Sequence, residues 1–268
     1  MSPPAFTQTE NPPVQQPLTA VQNGMMTEEA QIGEQIHRTI MSSFYPYTEP
    51  RANEYIGKIG GDLAKQALRQ ELNYRFIILY SDKIYATSSP GGYVYITTGM
   101  IYFLENEAEL AAVLAHEIAQ LQYKDPKLSV SRKILKNVSE KGAMVAPAFG
   151  QIGSLATLGF ALLHSVAEAG KKSPEARLVI ADRKAMIYMA EAGYDPQGMI
   201  DLFYKFADAK KEIVPYFSEY WESRPLTEER VDAIEGQFKK LPLDGKIFDV
   251  HHEKYSEETR GIREIYKT

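Results

Sequence analysis

Hydrophobic residues recur every three or four positions over several long stretches of the chain, which predicts a mainly helical protein. In residues 27–44, Ile32, Ile36 and Ile40 lie four residues apart, and Thr27 is suited to cap the helix. Similar spacing and capping residues predict further helices at about residues 51–70, 107–123, 174–193, 197–211 and 228–241.

Two short segments have the composition of strands instead. Residues 74–81, YRFIILYS, are rich in β-branched and aromatic residues and predict a buried strand. A turn at residues 90–92, Pro-Gly-Gly, precedes a second predicted strand at residues 93–97. A few strands among many helices predict an α+β fold class that is mainly helical, with a small β-sheet.

The predicted helix after Asn106 is apolar on almost every face, which indicates a central and buried position. Asn106 and Glu109 have the spacing of a capping box at its start. In its middle stand His116 and Glu117. An ionised glutamate is almost never buried without a partner, so this helix either lines a cleft or pairs Glu117 inside the protein.

The composition is that of a globular protein and removes several classes of function. Of the 268 residues, 44% are hydrophobic and 24% charged, enough for a sizeable core. The formal net charge of -5 gives no basic surface for nucleic acid. Because there is no cysteine, disulfides, cysteine zinc sites and thiol nucleophiles are excluded.

The two ends of the chain are predicted from composition alone. Residues 1–26 contain five prolines and no apolar segment of signal-peptide type, which predicts a disordered linker without a visible signal peptide. Such a linker often follows a removed signal or lipid anchor, and Met1 fits equally well as a native start. Residues 241–268 are predicted to form a charged, irregular tail.

Residues 143–166 carry no formal charge if His164 is neutral, and they are long enough to span a bilayer. Pro147, three glycines and several polar residues dilute the segment, and insertion into a membrane penalises such content. A buried helical hairpin is therefore favoured over membrane contact.

Residues 116–120, HEIAQ, resemble the H-E-x-x-H motif of zinc proteases, with a glutamine in place of the second histidine. In that motif two histidines four residues apart bind zinc, and the glutamate activates the bound water. Gln120 has the correct spacing but offers only a neutral amide. Taken alone, a five-residue match of this kind more often marks a buried helix with a hydrogen-bonded histidine.

Longer motifs around it resemble one family, in the same order along the chain. They are residues 88–122, SSPGGYVYITTGMIYFLENEAELAAVLAHEIAQLQ, residues 180–196, IADRKAMIYMAEAGYDP, and residues 223–234, SRPLTEERVDAI. The last is similar to a His-Pro-x-x-x-x-Arg segment. Together they resemble the Ste-type and HtpX-like zinc metallopeptidases, including the BepA-like and Oma-like branches. The resemblance implies a zincin-like fold with a small sheet beside the HExxH-type helix, and a peptidase-like domain over residues 27–240.

The resemblance also implies the roles of three residues. His116 matches a metal-binding histidine, and Glu117 matches the general base, here expected to be vestigial. Asp182 matches the carboxylate that supports a ligand histidine from behind.

Three other positions depart from the family pattern. Gln120 stands where a second histidine ligand belongs, Leu178 where a glutamate ligand belongs, and Arg224 where a histidine often lies near the metal. A catalytic zinc needs three protein ligands and an open water position, and one imidazole does not hold zinc against water. We expect no zinc cofactor, with His116 as the only metal ligand if any, and Arg224 placed to pair with Glu117.

Four residues are candidates for replacement ligands, but each has a more ordinary role. Glu175 suits the first turn of a helix, His164 a core or interface, and His251 with His252 an exposed pair in the tail. His37 is predicted to lie on the surface of the first helix.

Three functions follow as expectations. The favoured one is a non-catalytic relative that binds a peptide or protein, with a cleft bordered by Pro90, Gly91, Gly92, Tyr93 and Tyr95, along which an extended peptide adds to a sheet edge. The alternative is an active zinc metalloendopeptidase with an atypical ligand set. A third is an assembly role in the cell envelope with membrane contact. The resemblance implies the cell envelope or periplasm of a bacterium and quality control there.

Overall fold

A computed structural model of the chain describes residues 27–122, 174–211, 225–243 and 245–267. The predictions for residues 1–26 and 143–166, and for Arg224 and His164, lie outside this part. The helices of the described residues are α1 Glu28–Ser43, α2 Pro50–Ala64, α3 Thr98–Phe103, α4 Glu107–Gln120, α5 Pro174–Ala192, α6 Gln197–Lys211, α7 Glu228–Phe238, α8 His252–Glu258 and α9 Arg260–Ile265. The strands are β1 Arg75–Leu79, β2 Ala86–Ser89 and β3 Tyr93–Thr97.

The mainly helical α+β class is therefore confirmed, and both predicted strands are present. The three strands form one sheet in the order β1-β3-β2. β1 pairs with β3 in parallel, and β2 pairs with β3 in antiparallel orientation. β2 was not predicted, because its sequence Ala-Thr-Ser-Ser has little of the aromatic and β-branched content that marks a strand.

Helix α4 lies at the centre of the fold, as its sequence predicted. It packs against α2, α5, α6 and β2, and every residue from Glu107 to Ala119 is buried. The Asn106 side chain caps its start by accepting from the backbone N–H of Glu109. The Glu109 carboxylate accepts from the backbone N–H of Glu105, one residue before the position expected for a capping box. These contacts fix where the His116-Glu117 pair lies in the core.

The expectation of an irregular tail after residue 241 is wrong, because α8 and α9 fold back onto the domain. Tyr255 is fully buried, and its hydroxyl donates to the Ile101 carbonyl at 2.6 Å. Arg263 donates to the Leu104 carbonyl at 2.8 Å. Tyr255 of α8 and Ile262 of α9 are the buried apolar residues of the two helices, and the surrounding charges concealed them in the sequence.

Across the described ranges, none of the helices has both the length and the apolar character that crossing a membrane requires.

Gly33 allows α1 to approach the turn before β3 closely. A Cβ atom at this position would overlap the backbone carbonyl of Pro90. We expect Gly33→Ala to lower the free energy of unfolding by about 1–3 kcal/mol, the usual cost of overpacking a rigid contact. Gly57→Ala, where nothing lies within 4 Å of the new Cβ, is the control and should raise it by about 0.5–1 kcal/mol. Urea denaturation checks both, and a neutral Gly33→Ala would disprove the close approach.

Candidate functional site

The His116-Glu117 pair lies in the middle of α4, where both side chains are buried. Since α4 packs most extensively against α5, the two residues face a helical core rather than open solvent. A polar group in such a place needs a hydrogen-bonding partner, because water is not there to supply one.

Asp182 of α5 supplies the partner for His116. The His116 Nδ1 atom lies 2.7 Å from Asp182 Oδ1, and the Asp182 side chain has no exposed surface. An ionised carboxylate has no hydrogen to give, so Nδ1–H donates and Asp182 accepts. The structure thus brings together the histidine and the carboxylate that the sequence paired.

Arg230 of α7 holds the other side of the same carboxylate. Its Nε donates to Asp182 Oδ2 at 2.7 Å and its Nη2 to Oδ1 at 3.0 Å, a bidentate pair. The guanidinium also donates to the Pro225 carbonyl at 3.0 Å and lies over the Phe203 ring. Burial by itself raises the pKa of Asp182, but the charge of Arg230 and the hydrogen bonds from Arg230 and His116 outweigh it and lower the pKa to about 2. Asp182 is therefore an anion at neutral pH.

Gln120 contacts the second ring nitrogen of the His116 imidazole. Its Nε2 atom lies 3.2 Å from His116 Nε2, one helical turn along α4. In a neutral imidazole with its hydrogen on Nδ1, Nε2 has a lone pair that accepts the amide N–H. That lone pair is the one a zinc ion would need.

Leu178 lies one turn before Asp182 on α5, with only 5% of its surface exposed. Its side chain contains no donor atom and presents hydrocarbon at the position where the family resemblance implies a glutamate ligand. The side chain is thus buried and apolar, although it is not part of the main hydrophobic cluster of the domain.

The residues present do not fit a catalytic zinc. His116 gives one imidazole whose lone pair is engaged, Gln120 gives an amide, and Leu178 gives nothing. Over the described part of the chain, no group of three or more histidine, aspartate, glutamate or cysteine side chains is arranged to hold a metal ion. The positions of Arg224 and His164, and the side chain of Glu175, lie outside that part.

The histidines of the C-terminal segment lie away from His116. His251 Nε2 is 3.7 Å from Glu107 Oε1 at the start of α4, and His252 is exposed. Glu107 precedes His116 by nine residues, which is roughly 13 Å along a helix. Neither histidine replaces a missing ligand.

The predicted cleft residues lie in the middle of the sheet. β3 is paired on both sides, so the expectation that residues 93–97 offer a sheet edge is wrong. Tyr93 and Tyr95 are 2% and 1% exposed, and Pro90 and Gly92 are buried. Gly91 contacts the backbone of α1, and Gly92 has a φ of 91° that favours glycine. The turn at residues 90–92 therefore packs against α1 and holds that helix next to the sheet. A peptide that adds to this sheet must pair with a strand other than β3.

The two edge strands differ in how far they are enclosed. No residue of β2 has more than 1% of its surface exposed. In β1, residues 75–77 are only half-buried. At the other end of the strand, the Ile78 carbonyl accepts a hydrogen bond from the backbone N–H of Tyr47, in the segment after α1. Arg75 N–H bonds inward to the Gly92 carbonyl, so Phe76 presents its backbone to the outer edge. The start of β1 is the more accessible edge.

His37 is half-buried, which corrects the expectation of a surface position. Its ring stacks on Tyr93 with centroids 4.7 Å apart, and its Nδ1 lies 3.2 Å from the Tyr95 hydroxyl. Helix α1 therefore places this histidine against the sheet, a contact between distant segments that helical spacing alone does not reveal.

His37 is expected to make the stability depend on pH. Burial lowers the pKa of His37 below its ordinary value of 6.5, the charge of Glu34 opposes this shift, and the charges of Arg75 and Arg38 add to it. Since the folded pKa is the lower one, the stabilisation is complete above pH 6.5 and is lost as the pH falls through the folded pKa. Urea denaturation at several pH values should show a smaller loss of stability in acid for His37→Phe. The variant His252→Phe is the control, and an unchanged profile in His37→Phe would contradict the assignment.

The sequence motifs gave no role to Arg230, although the structure places it at the candidate site. It occupies the last position of the segment similar to His-Pro-x-x-x-x-Arg, and this match is the signal that could have identified it. The Thr227 side chain accepts from its backbone N–H, so the start of α7 fixes its direction.

Comparison with known proteins identifies the family of the chain. The profile described as peptidase family M48 matches residues 50–237. A putative beta-barrel assembly-enhancing protease of Vibrio cholerae is 27% identical over 219 residues, 74% of this chain and 42% of that protein. The beta-barrel assembly-enhancing proteases of Yersinia pestis and Escherichia coli are 26% and 25% identical over 69% and 68% of this chain. The chain thus spans about two fifths of the length of these relatives. It belongs to peptidase family M48.

Proposed function

We propose that this chain is a non-catalytic member of the M48 family that binds peptides or unfolded proteins. The observation that carries the proposal is the contact between the Gln120 amide and His116 Nε2, beside a leucine at position 178. A zinc peptidase needs the metal to activate water and to polarise the peptide carbonyl. With the imidazole lone pair engaged and no carboxylate ligand at position 178, Glu117 has no metal-bound water to deprotonate.

The setting that we propose is protein quality control in the bacterial cell envelope or periplasm. The support is the names of the relatives, beta-barrel assembly-enhancing proteases, which indicate work on other proteins. A chain that keeps the fold of such a protein and not its chemistry retains surfaces for extended polypeptides. No basic surface argues for nucleic acid, given the net charge of -5.

The docking edge that we propose is the start of β1. An extended peptide that pairs with residues 75–77 would gain backbone hydrogen bonds at the outer edge, where Phe76 presents its N–H and carbonyl. The nearby Arg75 guanidinium lies over the Tyr93 ring, which keeps a positive charge at the start of the strand. Acidic or neutral extended segments suit this edge better than basic ones.

Casein, an unfolded protein, tests the proposal. The natural chain is expected to bind fluorescein-labelled casein in EDTA and to leave it uncleaved in added zinc. The triple variant Gln120→His, Leu178→Glu, Arg224→His is the matched protein with the family's ligands restored, and it alone should gain zinc. Cleavage by the natural chain that EDTA stops and zinc restores would establish the alternative, an active zinc endopeptidase with an atypical ligand set.

Amide hydrogen exchange locates the bound casein. Exchange at the Phe76 amide is expected to slow when casein is added, because its N–H at the outer edge gains a partner. The residues of β3 are paired on both sides and buried, so their exchange should not change. Protection confined to other surfaces would remove β1 as the docking edge.

A further inference from the structure

We propose that Arg230, Asp182, His116 and Gln120 form a metal-free cross-link, a hydrogen-bonded chain that holds three helices together where the family's site would bind zinc. The proposal rests on the absence of zinc proposed above, and it goes further by giving these residues a structural role. The four side chains are called the cross-link below.

The cross-link joins elements that are distant in sequence. α4 contributes His116 and Gln120, α5 contributes Asp182, and α7 contributes Arg230. The bond lengths along it are 2.7 and 3.0 Å from Arg230 to Asp182, 2.7 Å from Asp182 to His116 and 3.2 Å from His116 to Gln120. Asp182, His116 and Arg230 are all at most 5% exposed, so water competes little for these bonds.

The carboxylate of Asp182 and both ring nitrogens of His116 have complementary neighbours in the cross-link. Asp182 Oδ2 accepts from Arg230, and Oδ1 accepts from both Arg230 and His116. In neutral His116 the hydrogen then lies on Nδ1, which leaves Nε2 as an acceptor for the Gln120 amide. Turning the amide over would set its oxygen against the Nε2 lone pair, two acceptors face to face. Gln120 therefore matches the tautomer that Asp182 imposes.

A set of metal ligands without its metal differs from the cross-link in how its donor atoms are paired. Ligands gathered around an absent metal have unpaired donor atoms and gain stability only when the metal binds. In this chain the donor atom of His116 already has a partner, so the site is complete without a metal. Removing a member should therefore destabilise the protein in EDTA, and adding zinc should not stabilise the natural chain.

Three proteins test the cross-link by unfolding in EDTA and in zinc. Gln120→Met keeps the side-chain length and removes the donor, and it is expected to increase the unfolding equilibrium constant about tenfold. Gln35→Met, at an exposed glutamine of α1, is the matched control and should have little effect. Zinc should leave the melting temperature of the natural chain unchanged.

Nitrogen chemical shifts of the natural chain give a second measurement that needs no variant. His116 is expected to show hydrogen on Nδ1 and a bare, hydrogen-bonded Nε2, unchanged by zinc or EDTA. A neutral Gln120→Met together with hydrogen on His116 Nε2 would overturn the cross-link and leave the absence of zinc intact. A melting temperature that rises with zinc would instead overturn the proposed function.

Discussion

Replacing Arg230 with methionine is expected to lower the free energy of unfolding by about 3–5 kcal/mol, the usual cost of breaking a buried ion pair. The reason is that Asp182 has no exposed surface, and the guanidinium provides two of the hydrogen bonds that keep it ionised. Without Arg230, the carboxylate must either stay charged in the core or take up a proton at Oδ2, where the Arg230 Nε–H no longer donates. Both outcomes are costly. Urea denaturation at neutral pH measures the loss.

The matched control is Arg38→Met. Arg38 pairs with Glu34 at 3.1 Å, but its side chain is 77% exposed, so this pair should contribute less than about 1 kcal/mol. The double variant Arg230→Met, Asp182→Leu should regain part of the loss, because no unpaired charge remains. Equal effects of Arg230→Met and Arg38→Met would show that Asp182 does not depend on Arg230.

Replacing Leu178 with alanine is expected to lower the free energy of unfolding by about 2–5 kcal/mol, because a buried leucine leaves a cavity when it is shortened. The position corresponds by resemblance to a glutamate ligand, and a ligand position would respond differently. If a glutamate ligand stood at this position, replacing it with alanine would remove an unpaired buried charge. It would not chiefly remove packing.

Ile180 on the same helix provides the control. Its side chain is 40% exposed, so Ile180→Ala should cost well under half of what Leu178→Ala costs. Thermal unfolding of the three proteins, monitored by circular dichroism, gives the comparison. If Leu178→Ala is as stable as the natural chain, position 178 is not part of the packed interior.

Local sequence pattern was enough to predict most of the helices. The prediction for residues 197–211 matches α6 Gln197–Lys211, and Asn106, Thr27 and Thr227 cap helices as expected. These features depend on residues within one or two turns, which periodicity and capping rules describe. α2 ends at Ala64 rather than near residue 70, because the Gln70 side chain donates to carbonyls at the end of that helix.

Contacts between distant segments could not be predicted in the same way. Arg230 and Asp182 are 48 residues apart, and nothing in either helix alone pairs them. The central place of β3 depends on β2, whose sequence carries little strand signal. His37 meets Tyr93 only because α1 packs across the sheet. The resemblance to a family identified His116, Asp182 and Gln120 as one site, and the geometry then showed how the glutamine is used.

The zinc content of the purified natural chain tests the central claim most directly. The chain would be incubated with one equivalent of zinc, passed through a desalting column and measured by elemental mass spectrometry, beside the variant Gln120→His, Leu178→Glu, Arg224→His. With His116 Nε2 engaged by Gln120 and a leucine at position 178, we expect far less than one zinc ion per natural chain and more in the variant. One zinc ion per natural chain, removable by EDTA with a loss of stability, would contradict the account.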